Sequence, residues 1–234
     1  MFPEDFYQED AEGISFSRDQ ASRFAKQVAD DFNPIHDPGA KLFCVPGDLL
    51  FALVLSRYGL STRMRFVFSG MVTDNTPLRF LQRSPGDLTL EDNSGKQYLR
   101  VEWSGDQTRD PRRVESLTRT YVAFSGHNFP HILVPLMAQH RVMINPARPL
   151  VIYSGMDIEL DSHELPVRQL QLADSRMEVS GIRGKVSLLF DLLAGEARVG
   201  QGIKYMEMRG LRPFDQAVAD QMVADYGQLK QAKR

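Results

Sequence analysis

The residues best placed to do chemistry are Asp31 and His36, which flank the sequence Phe-Asn-Pro-Ile. Pro34 cannot continue a helix and moves Asn33 away from helical backbone angles, so the chain must turn sharply between the two groups. A carboxylate and an imidazole can then face one point, where together they can hold and activate a water molecule. The same residues also allow a plainer interpretation, in which Asp31 caps a helix and His36 lies on the surface.

Helices on both sides of this turn must position the pair. The pattern predicts an opening helix over residues 19–30 and a second helix over Gly47–Tyr58. Residues 49–55 are all apolar, so the second helix should be buried on most of its faces. A third apolar helix is predicted over residues 130–142, and an amphipathic one over 214–229.

Between and after these helices, alternating β-branched and aromatic residues predict strands. Turn residues at 93–95 and 194–196 mark where two of the strands begin or end. The predicted strands cover residues 97–103, 115–124, 184–193 and 197–208. Helices followed by antiparallel strands indicate an α+β protein.

A short internal similarity indicates duplication. Phe66-Val67-Phe68-Ser69-Gly70-Met71 recurs as Val151-Ile152-Tyr153-Ser154-Gly155-Met156, a displacement of 85 residues. Each copy follows a predicted apolar helix and precedes predicted strands. The chain is therefore expected to contain two similar units, although an unrelated α+β protein with two similar layers would give the same periodicity.

The order Asp-x-Asn-Pro-[Ile/Leu]-His resembles the signature of the MaoC-like, (R)-specific enoyl-CoA hydratases of the hotdog superfamily. The resemblance implies a double hotdog, in which two tandem units each wrap an antiparallel sheet around a central helix. The expected units are residues 1–125, which carry the motif, and 126–212, which lack it, followed by a C-terminal helix and basic tail at 213–234.

The resemblance also implies roles for individual residues. Asp31 and His36 would be the catalytic pair of a hydratase or dehydratase acting on an acyl thioester without a cofactor, and Asn33 would orient them. The backbone N–H of Gly47, at the start of the central helix, would bind the thioester oxygen. The thioester would be carried by coenzyme A or an acyl-carrier protein. The CoA phosphates would contact the basic cluster Arg109, Arg112 and Arg113.

The sequence departs from the family pattern in the connection to the central helix. Gly47 comes only eleven positions after His36, and Pro46 stands where the family typically has His. Asp48 adds a local negative charge that would oppose an oxyanion. Two alternatives therefore stay open: a non-catalytic double-hotdog module that binds an acyl group or a protein partner, and an acyl-CoA thioesterase.

Composition limits the other function classes. A net charge of −2 argues against nonspecific nucleic-acid binding. The single Cys44 excludes an internal disulfide and is expected to be a buried structural thiol. The N-terminus lacks the apolar core of a signal peptide, and residues 49–55 are too short an apolar run to span a membrane, so a cytoplasmic protein is expected.

No metal site is predicted from the histidines. His127 and His131 are four residues apart, but Pro130 lies between them and no third ligand stands at a recognisable spacing. The oligomeric state is left open, with a homodimer as one arrangement.

Overall fold

The computed structural model describes residues 2–232, and its main feature is an antiparallel sheet of ten strands accompanied by helices. The fold is therefore α+β. The sheet order is β1-β2-β4-β5-β6-β3-β8-β11-β10-β9, and β7 and β12 form a separate two-stranded ladder. The strands are β1 Gln8–Asp10, β2 Gly13–Ser15, β3 Leu60–Phe68, β4 Leu78–Ser84, β5 Asp87–Asp92, β6 Gln97–Thr108, β7 Val142–Met143, β8 Val151–Leu160, β9 Gln169–Ser180, β10 Arg183–Ala194, β11 Ala197–Arg209 and β12 Arg212–Pro213.

The two halves of the sheet have the same strand order. From the centre outward, one half runs β3, β6, β5, β4 and the other runs β8, β11, β10, β9. The central strands β3 and β8 pair antiparallel, with Arg63 opposite Glu159 and Val67 opposite Gly155. The topology is thus repeated about the middle of the sheet, and the hairpin β1–β2 extends the edge of the first half only.

The six-residue similarity does not mark equivalent positions in this repeat. Residues 66–68 are the last three of β3 and residues 69–71 lie beyond it, whereas residues 151–156 are the first six of β8. The two copies therefore lie at opposite ends of their strands, and it is the strand order that repeats.

The described part of the chain contains five α-helices. They are α1 Arg18–Arg23, α2 Gly47–Tyr58, α3 Pro111–Gly126, α4 Val134–Gln139 and α5 Gln216–Ala232. A π-helical turn, Phe24–Val28, extends α1, and another, Phe129–Leu133, precedes α4. The helix α2 has its predicted bounds, and its residues 49–55 are at most 2% exposed. No described helix is long and apolar enough to cross a membrane.

The strand predicted over residues 115–124 is wrong, because this segment lies within α3. The local alternation of polar and apolar residues fits a period of two, which is why the sequence predicts a strand here. The buried residues, however, follow helical spacing: Val114, Leu117, Thr118, Tyr121, Val122, Ser125 and Gly126. Asp110 caps the helix by accepting a hydrogen bond from the Arg112 N–H at 3.0 Å, and Pro111 occupies its first position.

The prediction of residues 130–142 as the second central helix is wrong for a related reason. It is α3 that packs on α2, with the Phe51 and Tyr121 rings 4.8 Å apart and Tyr121 fully buried. The segment 130–142 instead contains the end of a π-helical turn, the short helix α4 and the first residue of β7. Its residues Leu133, Leu136 and Met137 join a second, smaller hydrophobic cluster with residues of β10 and β11.

Candidate functional site

The turn that carries Asp31 and His36 is fixed by local hydrogen bonds. Asp30 has a positive φ of 54°, which ends the helical segment, and Asn33 is extended with φ −58° and ψ 123°. Asp31 Oδ1 accepts a hydrogen bond from the Asn33 N–H at 2.9 Å, and Asn33 Oδ1 accepts one from the Ile35 N–H at 3.2 Å. The Asn-Pro pair therefore works as the sequence predicts: it closes one helical segment and starts a 3-10 turn, Pro34–His36.

The imidazole of His36 is oriented by the main chain. Its Nδ1 lies 2.6 Å from the carbonyl oxygen of Cys44, and because a carbonyl can only accept, Nδ1 carries the proton. The Nε2 atom then faces Asp31 Oδ2 at 3.7 Å. The side chains of His36 and Asp31 are 12% and 24% exposed, so both remain reachable. This separation is too long for a strong direct hydrogen bond and lets one small molecule contact both groups.

Cys44 contributes through its backbone. Its N–H donates to the Ile35 carbonyl at 3.1 Å, which holds the loop against the 3-10 turn. Burial raises the pKa of the Cys44 thiol to about 12, so the group is protonated at neutral pH.

The pair opens into a cavity of about 410 Å³. Asp31, Asn33, His36 and Gly47 all line it, so the structure brings these four predicted site residues together. Most of the wall is apolar. The apolar lining includes Leu50, Phe68, Met71, Val72, Phe129, Leu133, Ile144, Val151, Ile152, Met206, Met222 and Leu229.

Gly47 begins α2 at the wall of this cavity, where the first backbone N–H groups have no partner within the helix. A Cβ atom built on Gly47 would lie 2.8 Å from Cδ1 of Tyr153, so the glycine lets the tyrosine ring pack directly on the helix start. The Tyr153 hydroxyl is 2.5 Å from that of Tyr121, and burial raises the pKa of both phenols well above the usual range. Both tyrosines are thus neutral hydrogen-bonding groups.

The negative charge expected to oppose an oxyanion at Gly47 is compensated inside the protein. Asp48 is buried, and its Oδ2 accepts a hydrogen bond from Ser125 Oγ at 2.6 Å. The Lys204 ammonium in turn donates to Ser125 Oγ and lies 4.6 Å from the centre of the Tyr153 ring. Burial raises the pKa of Asp48, opposed by the charge of Lys204, and burial lowers the pKa of Lys204, opposed by Asp48. Asp48 and Lys204 are therefore a buried pair of opposite charge type that Ser125 bridges.

Sequence reasoning missed Ser125, Asn128, Tyr153 and Lys204, all of which line the cavity. Among these four residues, only Lys204 has a sequence pattern that could have indicated its inward position. In β11 the buried positions alternate through Gly202, Lys204, Met206 and Met208, so Lys204 stands at an inward position of an otherwise apolar series. The other three lie in segments whose structure or placement was not predicted.

Helix α5 covers one side of the cavity. Met222, Asp225, Tyr226 and Leu229 line it, and the Tyr226 hydroxyl accepts a hydrogen bond from the Phe32 N–H at 3.2 Å. Burial, reinforced by the charge of Asp31, raises the pKa of Tyr226 to about 12. The helix is therefore attached directly beside the Asp31–His36 turn.

A second attachment of α5 involves Asp30. Its Oδ2 accepts hydrogen bonds from Lys230 and, at 2.7 Å, from His127 Nε2. Burial alone would raise the pKa of Asp30, but these hydrogen bonds and charges outweigh it and lower the pKa.

The basic cluster Arg109, Arg112 and Arg113 does not line this cavity. Arg109 lies at the other end of α2, where its Cγ is 3.0 Å from a Cβ built on Gly59, and Arg112 and Arg113 form ion pairs with Asp110. A contact with CoA phosphates stays a prediction. Among residues 2–232, no group of three His, Cys, Asp or Glu side chains could hold a metal ion.

Fold and site together define an α+β protein with an apolar cavity and a polar end at the start of a buried helix. The chain belongs to the family described as "Protein of unknown function (DUF3581)", whose model matches residues 1–217. No curated protein matches the chain.

Three solved structures show remote similarity to the chain. A tesB protein of Mycobacterium avium subspecies paratuberculosis is 9% identical, with 72% of this chain and 89% of that chain covered and a TM-score of 0.43. An acyl-CoA thioesterase II, TesB2, of Mycobacterium marinum is 11% identical, with 70% and 89% covered and a TM-score of 0.41. A MaoC-like dehydratase is 10% identical, with 87% and 97% covered and a TM-score of 0.43.

Proposed function

We propose that the chain is a double-hotdog hydratase or dehydratase acting on acyl thioesters, with Asp31 and His36 as its catalytic residues. The observation that carries this proposal is the 3.7 Å separation of Asp31 Oδ2 and His36 Nε2 at the wall of the cavity that Gly47 also lines. The repeated strand order and the packing of α2 on α3 support the double-hotdog part of the proposal. We place the division between the units before α3, so that each unit is one buried helix followed by its strands.

The chemistry of hydration matches these groups. Water bound between the two side chains gives a proton to His36 Nε2, whose lone pair is free because Nδ1–H is committed to Cys44. The hydroxide oxygen bonds to C3 of the enoyl group, and the electron pair of the double bond moves toward the thioester, whose oxygen becomes negative. The Gly47 N–H stabilises that oxygen, helped by the helix dipole. The proton held by the Asp31–His36 pair then goes to C2, which restores the thioester and the pair.

The apolar wall fits the acyl part of such a substrate, and the buried Asp48–Lys204 pair adds no net charge beside the oxyanion. Dehydration is the same sequence reversed. Assays with different substrates will determine the preferred acyl-chain length. They will also determine whether coenzyme A or an acyl-carrier protein carries the thioester.

The test is loss of the enoyl-thioester absorbance with short, medium and long acyl chains. We expect Asp31→Asn and His36→Ala each to lower turnover about a hundredfold to ten-thousandfold, because acid/base groups contribute that much. Asp19→Asn is the matched control, since Asp19 is exposed near the start of α1 and does not line the cavity. A loss of less than about threefold in both variants, with folding intact by circular dichroism, would show that the pair is not catalytic.

The same samples separate the alternatives. Release of free thiol without hydration would identify a thioesterase. Absence of both reactions, together with measurable binding of acyl thioesters, would identify a non-catalytic binding module.

A further inference from the structure

The cavity contains polar atoms that the catalytic proposal does not use. Asn128 follows α3, is 3% exposed and lines the cavity. Neither its amide oxygen nor its amide nitrogen has a hydrogen-bond partner within residues 2–232, and the same holds for Asp48 Oδ1. A buried donor or acceptor without a partner destabilises a folded protein, so three such atoms at one cavity call for an explanation.

These atoms limit the chemistry of a partner group. Asn128 offers one donor and one acceptor function, and Asp48 Oδ1 offers an acceptor. The charge of Asp48 is already opposed by Lys204 through Ser125, so an added charge on the ligand would be left without compensation. The group that fits is therefore neutral and both donates and accepts hydrogen bonds.

We propose that this cavity binds acyl thioesters that present a hydroxyl or amide group to Asn128, to Asp48 Oδ1 or to both, a polar subsite made of atoms that the Asp31–His36 chemistry does not use. The proposal rests on the acyl-thioester function given above and specifies its ligand. Two parts of such a ligand carry this chemistry: a hydroxyl on the acyl chain, and the amides of the pantetheine arm. Hydrogen bonds of this kind discriminate strongly, because a ligand lacking the group leaves the buried atoms unpaired.

The experiment compares binding of stable thioethers by titration calorimetry. The probes are S-octyl-CoA, a series of S-(hydroxyoctyl)-CoA compounds with one hydroxyl at successive carbons, S-octyl-pantetheine, and an analogue of S-octyl-pantetheine in which hydrocarbon replaces both amides. If the acyl chain carries the group, at least one hydroxyoctyl probe should bind about tenfold more tightly than S-octyl-CoA. If pantetheine carries it, the amide-free analogue should bind about tenfold more weakly than S-octyl-pantetheine.

Asn128→Leu is the matched variant, because leucine has a similar volume and no hydrogen-bonding group. It should remove whichever preference the wild type shows, and Asn128→Ala provides the same readout if the leucine variant does not fold. The polar subsite would be overturned, and the proposed function left standing, if affinities were equal within about threefold among the CoA probes, between the two pantetheine probes, and between wild type and variants. Failure of the wild type to bind any probe would overturn both.

Discussion

Lys204→Met tests the buried pair most directly. The substitution keeps most of the side-chain volume and removes the ammonium that opposes the buried charge of Asp48. Removing one partner of a buried ion pair costs about 3–5 kcal/mol, because the other charge is left uncompensated. For a protein of this length about 1 kcal/mol corresponds to about 2–4 °C in melting temperature, so the melting temperature should fall by about 6–20 °C.

The loss of stability in the Lys204→Met variant should increase as pH rises. Burial raises the pKa of Asp48 in the folded protein, and Lys204 is the main group opposing that rise. Below the pKa of the unfolded carboxyl, near 3.9, Asp48 is protonated in both states and costs little. As pH rises above that value, the Asp48 carboxyl ionises first in the unfolded state. The variant should therefore lose stability relative to wild type until Asp48 also ionises in the folded state.

The assay is thermal unfolding followed by circular dichroism between pH 4 and pH 8. The double variant Asp48→Asn with Lys204→Met removes both charges and should recover much of the lost stability. Lys185→Met, on the exposed side of the neighbouring strand β10, controls for the substitution itself. The reasoning would be refuted by a single variant that melts within about 2 °C of wild type, or by a double variant no more stable than the single one.

Two further predictions concern the start of α2 and the attachment of α5. Gly47→Ala should lower kcat/KM at least about tenfold, because the added methyl group meets the Tyr153 ring at 2.8 Å and displaces the oxyanion donor; unchanged kinetics would contradict that role. Asp30→Asn should speed hydrogen exchange in α5, because it removes the charge that holds Lys230 and His127. Since the pKa of Asp30 is lowered in the folded protein, wild type should show the same loosening as pH falls below about 4. Equal exchange in variant and wild type at neutral pH would contradict this attachment.

Parts of the fold that rest on local signals were predictable from the sequence. The bounds of α2 follow from Pro46 and Gly47 at its start, Gly59 after its end, and an apolar run between them. The hairpin between β10 and β11 follows from alternation around the turn at Gly195. In these segments pattern, turn residues and tertiary packing all favour the same structure.

Helix α3 shows where the sequence reading failed. Its buried stripe has helical spacing, but β-branched and aromatic residues occupy much of it, and their alternation also fits a strand. The cap formed by Asp110 and Pro111 is the local signal that favours a helix here. Because residues 115–124 are predicted as a strand, the second central helix is predicted too late in the chain, at residues 130–142.

The residues of the candidate site also fall into two groups: those whose proximity follows from the local sequence and those that only tertiary packing brings together. Asp31, Asn33 and His36 lie within six residues and are joined by a proline-defined turn, so their proximity could be inferred locally. Ser125 reaches Asp48, and Lys204 reaches Ser125, only through the tertiary packing of α2, α3 and β11, at sequence separations of 77 and 79 residues. No local pattern encodes such a meeting.

The Asp48–Ser125–Lys204 bridge joins elements from the two halves of the sheet. Asp48 belongs to the helix that precedes β3, whereas Ser125 and Lys204 belong to α3 and β11. If the halves docked out of register, each charge would be buried alone, a cost far larger than that of a misplaced methyl group. We therefore expect the bridge to favour, during assembly, the arrangement of the halves that also completes the cavity.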